Sequence, residues 1–275
     1  MNYKIVADTS ANIFSLEGVP FGYASMKICT DEAEYTDTPE LDVKKMTDDL
    51  ASYKGKSGTS CPSVLDWLDS FGEAERIFCI TITSKLSGSY NSACLAKNEY
   101  EEKYPDRKVF VIDTFSAGPK LKIMAEKLQE LILSGLSYEE ICEKIMEYNE
   151  KTEIIFVLES MTNLANNGRI SGVSAKLAGI LGIRVVGKAT DGVLEPLDKV
   201  RGEKKTIACI LERLQNMGYR GGRLSISHCF NLPFAEAVSE SISGLYPNAV
   251  LDIHQTTALC SFYAEKGGII LGFEK

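Results

Sequence analysis

At 275 residues the chain is long enough for two domains. Its net charge of −8 leaves no basic footprint for nucleic acid or for an anionic membrane surface. It contains no run of 18 apolar residues, so no spanning helix is expected. The opening MNYKIVADTS enters a strand-like run without a signal-peptide layout, which predicts a cytoplasmic protein. The eight cysteines are scattered and form no CxxC, and the histidines are His228 and His254 alone. Free thiols are expected, with neither a zinc site nor a disulfide framework.

In chain order, Tyr3–Asp8 reads as a buried strand ending in the polar turn Asp8-Thr9-Ser10. Phe21–Ile28 and Glu32–Thr36 form a short β-excursion. Val43–Tyr53 and Pro62–Gly72 are helical, with Pro62 at a first-turn position. Strand Ile77–Ile82 leads into helix Ser87–Tyr104, and strand Val109–Asp113 precedes a helix that starts at Gly118-Pro119 and runs to Ser134. Ser137 and Glu140 make a capping box for the next helix. Strands separated by helices predict an α/β domain with a doubly wound parallel sheet over residues 1–152.

Residues 153–275 read as an α+β domain. Glu153–Leu158 is a strand, followed by two short helical pieces around NNGRISG, Asn166 to Gly172. Ile183–Lys188 and Val193–Val200 flank Asp191-Gly192, a hairpin signal. Helix Thr206–Met217 and strands Arg223–Ser227, Val250–His254 and Ile269–Phe273 complete a mixed or largely antiparallel sheet.

The chemistry concentrates at ITSKLSGSYNSA, Ile82 to Ala93. Thr83, Ser84, Ser87, Ser89 and Ser92 crowd the point where strand becomes helix, with Asn91 beside them and Gly88 allowing close backbone approach. A helix start offers unpaired N–H groups and a positive dipole end, so added hydroxyls make a pocket for a small anion without a charged side chain. A single cap would need one hydroxyl only. GTSCPS, Gly58 to Ser63, repeats the pattern with Thr59 and Ser60, although Ser60 also suits a plain N-cap. His254 ends a predicted strand, while Arg169 and Arg201 occupy polar turns, as solvated charges or partner contacts. No GxSxG elbow, GxGxxG, HExxH or EF-hand loop is present. GIRVVGKA, Gly182 to Ala189, mimics GxxxxGK, but its middle is strand-like and Ala189 replaces the Mg²⁺-binding hydroxyl. No catalytic residue, cofactor or metal is assigned.

Seven motifs in order resemble the DegV family of bacterial fatty-acid-binding proteins. They are Asp8-Thr9-Ser10, TSCPS (Thr59–Ser63), KLSGSYNSA (Lys85–Ala93), VIDT (Val111–Thr114), NNGRISG, DGVLEPLDKVRGEKK (Asp191–Lys205) and DIHQTTAL (Asp252–Leu259). The resemblance implies an α/β domain joined to an α+β domain with one long-chain fatty acid buried between them. It places the carboxylate at Thr59, Ser60, Ser87, Gly88 and Ser89, with the family's histidine at His254 and secondary or partner contacts at Asn91, Arg169 and Arg201. It further implies that the protein presents its ligand to a separate ATP-binding fatty acid kinase chain. Three departures stand out. Cys61 replaces a usual Gln, Gln255-Thr256-Thr257-Ala258 replaces a glycine–proline segment, and FSAGPK is short. The competing readings are a serine-type acyl hydrolase using Ser87 or Ser89 with His254, and a binder of another small carboxylate.

Overall fold

The computed structural model of the chain describes residues 2–170 and 182–275. Its strands are β1 (Tyr3–Asp8), β2 (Phe21–Ala24), β3 (Lys27–Cys29), β4 (Glu34–Thr36), β5 (Gly58–Ser60), β6 (Arg76–Thr81), β7 (Lys108–Asp113), β8 (Thr152–Leu158), β9 (Ile183–Thr190), β10 (Val193–Arg201), β11 (Arg223–His228), β12 (Val250–Gln255) and β13 (Ile269–Glu274). The helices among the described residues are α1 (Val43–Ser52), α2 (Val64–Phe71), α3 (Ser89–Lys103), α4 (Pro119–Leu133), α5 (Tyr138–Glu150), α6 (Thr162–Asn166), α7 (Glu203–Asn216), α8 (Leu232–Leu245) and α9 (Ala258–Ala264).

β2-β1-β6-β7 form an all-parallel sheet, as alternation of strands and helices requires. β10-β9-β8-β13-β11-β12 form a mixed sheet in which only β11 and β12 run parallel. The expected β-excursion divides: Phe21–Ala24 joins the parallel sheet as β2, while β3 and β4 form a separate antiparallel sheet with β5, in the order β4-β3-β5, which carries Thr59 opposite Ile28. The last two residues of NNGRISG and the helical piece expected after it lie outside the described residues.

Three helix starts differ from the sequence reading, and α7 begins at Glu203, three residues before the expected Thr206. α2 begins at Val64 because Ser63, not Ser60, caps it: Ser63 Oγ accepts from Asp66 N at 3.2 Å, and the Asp66 carboxylate accepts from Ser63 N at 2.8 Å. Pro62 therefore precedes the helix. α3 begins at Ser89, capped by Gly88 without a side-chain bond. The Ser137–Glu140 capping box on α5 is present as expected.

α4 packs against both sheets. Leu121, Met124, Ala125 and Leu128 enter the core under the parallel sheet, while Lys122 reaches Asp252 of β12 at 3.1 Å. The β9–β10 turn closes a second contact between the halves. Asp191 and Gly192 both have positive φ, at 49° and 82°, the conformation a two-residue hairpin turn needs. A Cβ at Gly192 would overlap the Thr83 hydroxyl and stand 3.0 Å from Lys85 Cγ. Glycine is thus required twice there, by φ and by the approach of the turn to the loop after β6.

Lys120 is a destabilising element of this arrangement. It sits in the first turn of α4, where the helix dipole disfavours a cation. It is 5% exposed, and its ammonium donates to Asn149 O at 3.0 Å. Burial lowers its pKa from 10.5 to about 8. A folded-state value below the unfolded one means that the protein is penalised fully at pH below 8, and the penalty is relieved as pH rises toward 10.5. Asn149 O keeps a second donor, Thr152 Oγ1 at 3.0 Å, if the lysine is lost. Lys120→Met should therefore stabilise the protein at pH 7 by about 2–3 kcal/mol. Urea unfolding at pH 7 and pH 10 checks this: the gain should shrink at the higher pH, and a destabilised variant at pH 7 would refute the account.

Candidate functional site

β1 and β6 are neighbours, yet the chain leaves β1 toward β2 and β6 toward β7. The crevice at the carboxyl ends of two such strands is where open α/β sheets bind ligands. Asp8, the last residue of β1, is fully buried there. Its carboxylate accepts from Ile82 N at 2.8 Å, from Ser10 N at 3.2 Å, from the Ser10 hydroxyl, and from Ser89 Oγ at 2.6 Å. Burial pushes the carboxyl up from its ordinary value, while the four donors pull it back.

The hydroxyls of ITSKLSGSYNSA consequently divide into two groups. Thr83 and Ser89 are buried, and Ser89 serves Asp8. Ser92 donates to Pro62 O at 2.7 Å and ties α3 to TSCPS. Ser87 Oγ accepts from Ser89 N at 3.2 Å, which leaves its own O–H available as a donor. Asn91 is exposed on α3.

Next to this loop lies a cavity of about 280 Å³. Thr59, Ser60, Cys61, Ser87 and Gly88 form its polar side, so two sequence-distant motifs meet as expected. The rest is apolar. Ile154, Phe156 and Leu158 alternate along one face of β8, joined by Ile270 of β13 and Leu194 of β10. α9 contributes Leu259, Cys260, Tyr263 and Ala264. Helix α9 is itself held by a second buried carboxylate: Asp37 accepts from Thr257 Oγ1, Ala258 N and Leu259 N at 3.0, 3.0 and 3.1 Å.

Two wall residues change the sequence-based picture. Tyr263 O–H and Thr59 Oγ1 are 2.8 Å apart, so one proton lies between them and the second O–H remains free to donate. No motif singled out Tyr263; a tyrosine one turn into a short C-terminal helix reads as core. Arg169 also lines the cavity. Its guanidinium is fixed by Leu86 O, at 3.0 Å from Nε, and by Asn167 O. The site thus carries a positive side chain, from a residue that the sequence reading named only as a secondary or partner contact.

His254 stands apart. It does not line the cavity. β11 and β12 pair Ser227 with His254 and Ser225 with Asp252, which sets all four side chains on one face. His254 Nε2 is 2.7 Å from Ser227 Oγ and Nδ1 is 3.1 Å from Asp252 Oδ2. Asn12 Nδ2 donates to Ser227 Oγ at 3.2 Å. Although burial pushes the Asp252 carboxyl up, His254 and Lys122 hold it below its ordinary value. The order serine–histidine–aspartate imitates a hydrolase triad, but Ser227 is wholly buried and no substrate reaches it. Neither Ser87 nor Ser89 bonds to His254; Ser89 is taken by Asp8. Arg201 is exposed at the far end of β10, seven residues from Leu194, or roughly 20 Å along the strand. GIRVVGKA lies in β9 as strand, as its pattern predicts.

Fold and site together define an α/β protein that encloses an apolar, hydroxyl-tipped cavity against a mixed sheet. A family model described as uncharacterised protein, DegV family, matches residues 2–275. The chain belongs to the DegV family. It is 41% identical to a DegV domain-containing protein of Streptococcus pneumoniae over all of this chain and 99% of that protein. A DegV family protein from Eubacterium eligens, loaded with heptadecanoic acid, superposes with a TM-score of 0.98 at 41% identity, over 99% of both chains. The fatty acid kinase (Fak) B3 protein of Streptococcus pneumoniae, loaded with linoleic acid, superposes with a TM-score of 0.97 at 41% identity, over 100% of this chain and 99% of that one.

Ser89→Ala removes one of four donors from a buried carboxylate. Such a loss costs about 1.5–3 kcal/mol. Urea denaturation should show a destabilisation of that size; a change within about 0.5 kcal/mol, the range of neutral surface substitutions, would show that Ser89 does not brace Asp8.

Proposed function

We propose that this protein binds one long-chain fatty acid and presents its carboxylate to a separate ATP-binding kinase for acyl-phosphate formation. The observation that carries this reading is an apolar cavity whose single polar side gathers Thr59, Ser60, Ser87, Gly88 and the Thr59–Tyr263 hydroxyl pair. The carboxylate takes the O–H groups of Ser87 and of the Thr59–Tyr263 pair, with Arg169 offsetting its charge. Ser89 acts through Asp8, and His254 through the Asn12–Ser227–Asp252 network between residues 1–152 and 153–275. The acyl chain lies on the β8 face. The fatty acids carried by the Eubacterium eligens and Streptococcus pneumoniae structures support this class of ligand.

Energetics favour the same assignment. Each buried methylene contributes about 0.8 kcal/mol, so a chain with ~14 of them gains roughly 11 kcal/mol before ordering costs. A carboxylate buried without partners would cost several kcal/mol, which the donors at the polar side must offset. The headgroup side therefore fixes orientation, and the tail supplies affinity.

Organic extraction of protein purified from a bacterial cytoplasm, followed by mass spectrometry, should find near-stoichiometric C14–C18 fatty acid. Thr59→Ala and Ser87→Ala should each weaken fatty-acid binding by about 1.5–3 kcal/mol without unfolding the protein. A ligand-free protein that takes up no such acid would refute the assignment, as would reaction of Ser87 with an active-site serine probe.

The division of labour makes a second prediction. Phosphoryl transfer needs a nucleotide site, Mg²⁺ ligands and charge stabilisation, which we assign to the partner chain. Alone, the protein should form no acyl phosphate; with its kinase and ATP it should. Arg201, in the basic run Lys199–Lys205 of an acidic protein, is the proposed docking contact. Arg201→Ala should leave fatty-acid content intact and lower turnover with the kinase at limiting protein concentration, because a surface charge tunes association more than ligand burial. Normal turnover would remove the docking assignment.

A further inference from the structure

Phe156 is the only phenylalanine on the cavity wall, and its ring occupies a space that exists for one reason. In the antiparallel pairing of β8 with β9, Phe156 stands directly opposite Gly187. Directly opposed residues share a face of the sheet, so any side chain at 187 would rise beside the ring on the cavity side. A Cβ there would overlap the ring, standing 2.6 Å from its Cε2 and closer still to Cζ. It would also stand 2.5 Å from Glu195 O. The second approach reflects the pinch in β10, where Pro196 faces Gly187 and the register shifts before Asp198. Proline cannot donate to the ladder and is confined to edges and bulges. The ring therefore lies over a bare patch of β9 and is 3% exposed there.

We infer that Gly187 and Phe156 together select the acyl chain: the absent side chain at 187 gives the ring a place to lie, and the ring's position sets the width of the cavity. This inference rests on the fatty-acid reading above. With the ring withdrawn, the cavity accommodates a longer or cis-bent chain. With position 187 filled, the ring has nowhere to go but inward, and the cavity favours shorter, straight, saturated chains. Removing the ring has the opposite effect from filling position 187, and a smaller side chain at 156 makes the room above Gly187 unnecessary.

The test is competitive loading of the delipidated full-length protein with an equimolar mixture of tetradecanoic, hexadecanoic, octadecanoic, cis-9-octadecenoic and linoleic acids, read by native mass spectrometry. One methylene in a hydrophobic pocket discriminates by 10-fold or more. Gly187→Ala should thus lower the ratio of linoleic to tetradecanoic acid by about tenfold relative to the unsubstituted protein. Phe156→Leu should raise that ratio by a comparable factor, and the double variant should keep the Phe156→Leu profile, because without the ring nothing needs the room above Gly187. Because Gly187→Ala also presses on the β10 backbone, Phe156→Leu and Phe156→Ala carry the test if that variant fails to fold. Folded Phe156 variants with the original profile would overturn the inference, as would single effects that simply multiply in the double variant. A protein that loads no fatty acid in any form would instead overturn the functional reading beneath it.

Discussion

A carboxylate with no access to solvent organises this molecule. Asp8 ends β1 at the point where the parallel sheet divides, and its four donors come from three different pieces of the site. Ile82 N belongs to the strand exit, Ser89 Oγ to the first turn of α3, and Ser10 to the turn that follows β1. An ionised group without these donors would be expelled from such a position. With them, it locks the start of α3 relative to β1, and so fixes where Ser87 and Gly88 face. Asp37 does the equivalent service on the opposite wall, where it accepts both backbone N–H groups at the start of α9 and thereby seats Leu259 and Tyr263. The cavity lies between two elements each pinned by a buried acid.

This arrangement explains why so many hydroxyls cluster in the sequence and so few face the cavity. A helix start beside a buried carboxylate consumes donors. Ser89 and Ser92 are spent on anchoring, and Ser87 supplies a cap with its lone pair while keeping its proton. Counting hydroxyls in ITSKLSGSYNSA therefore located the site but did not rank its members. The ranking depends on which side of the α3 helix start each side chain leaves, and Asp8 decides that from 81 residues away.

The fold was largely legible because it rests on local signals. Alternating strands and helices, the Ser137–Glu140 box and the Asp191-Gly192 turn each appear where the pattern puts them. Strand ends and helix caps moved by one or two residues where competing caps were available, as with Ser60 and Ser63. The site was legible only in the parts that lie in motifs. Thr59 and Ser87 met across the cavity as the paired motifs implied. Tyr263 and Phe156 carry no polar spacing to mark them, since an apolar wall has the same composition as core. His254 illustrates the converse. The family resemblance implied a ligand contact there, whereas parallel pairing with β11 gives it Ser227 and Asp252 as neighbours, and register cannot be read from one strand alone.

The separation of polar rim from apolar floor also limits how selectivity can arise. Hydroxyls and a guanidinium treat all carboxylates alike, so they cannot tell one acyl chain from another. Discrimination must come from shape along the β8 face, where a packed interior transmits even a methylene. On that face the side chains run Ile154, Phe156, Leu158, and only the central one has a glycine opposite it in β9. Val185, opposite Leu158, is branched and buried, so it leaves Leu158 no comparable freedom. Under the proposed function, a sheet that must both close a core and admit a chain of variable bend can yield at a single point without losing its ladder, and glycine opposite an aromatic ring is the arrangement that yields without breaking a backbone hydrogen bond.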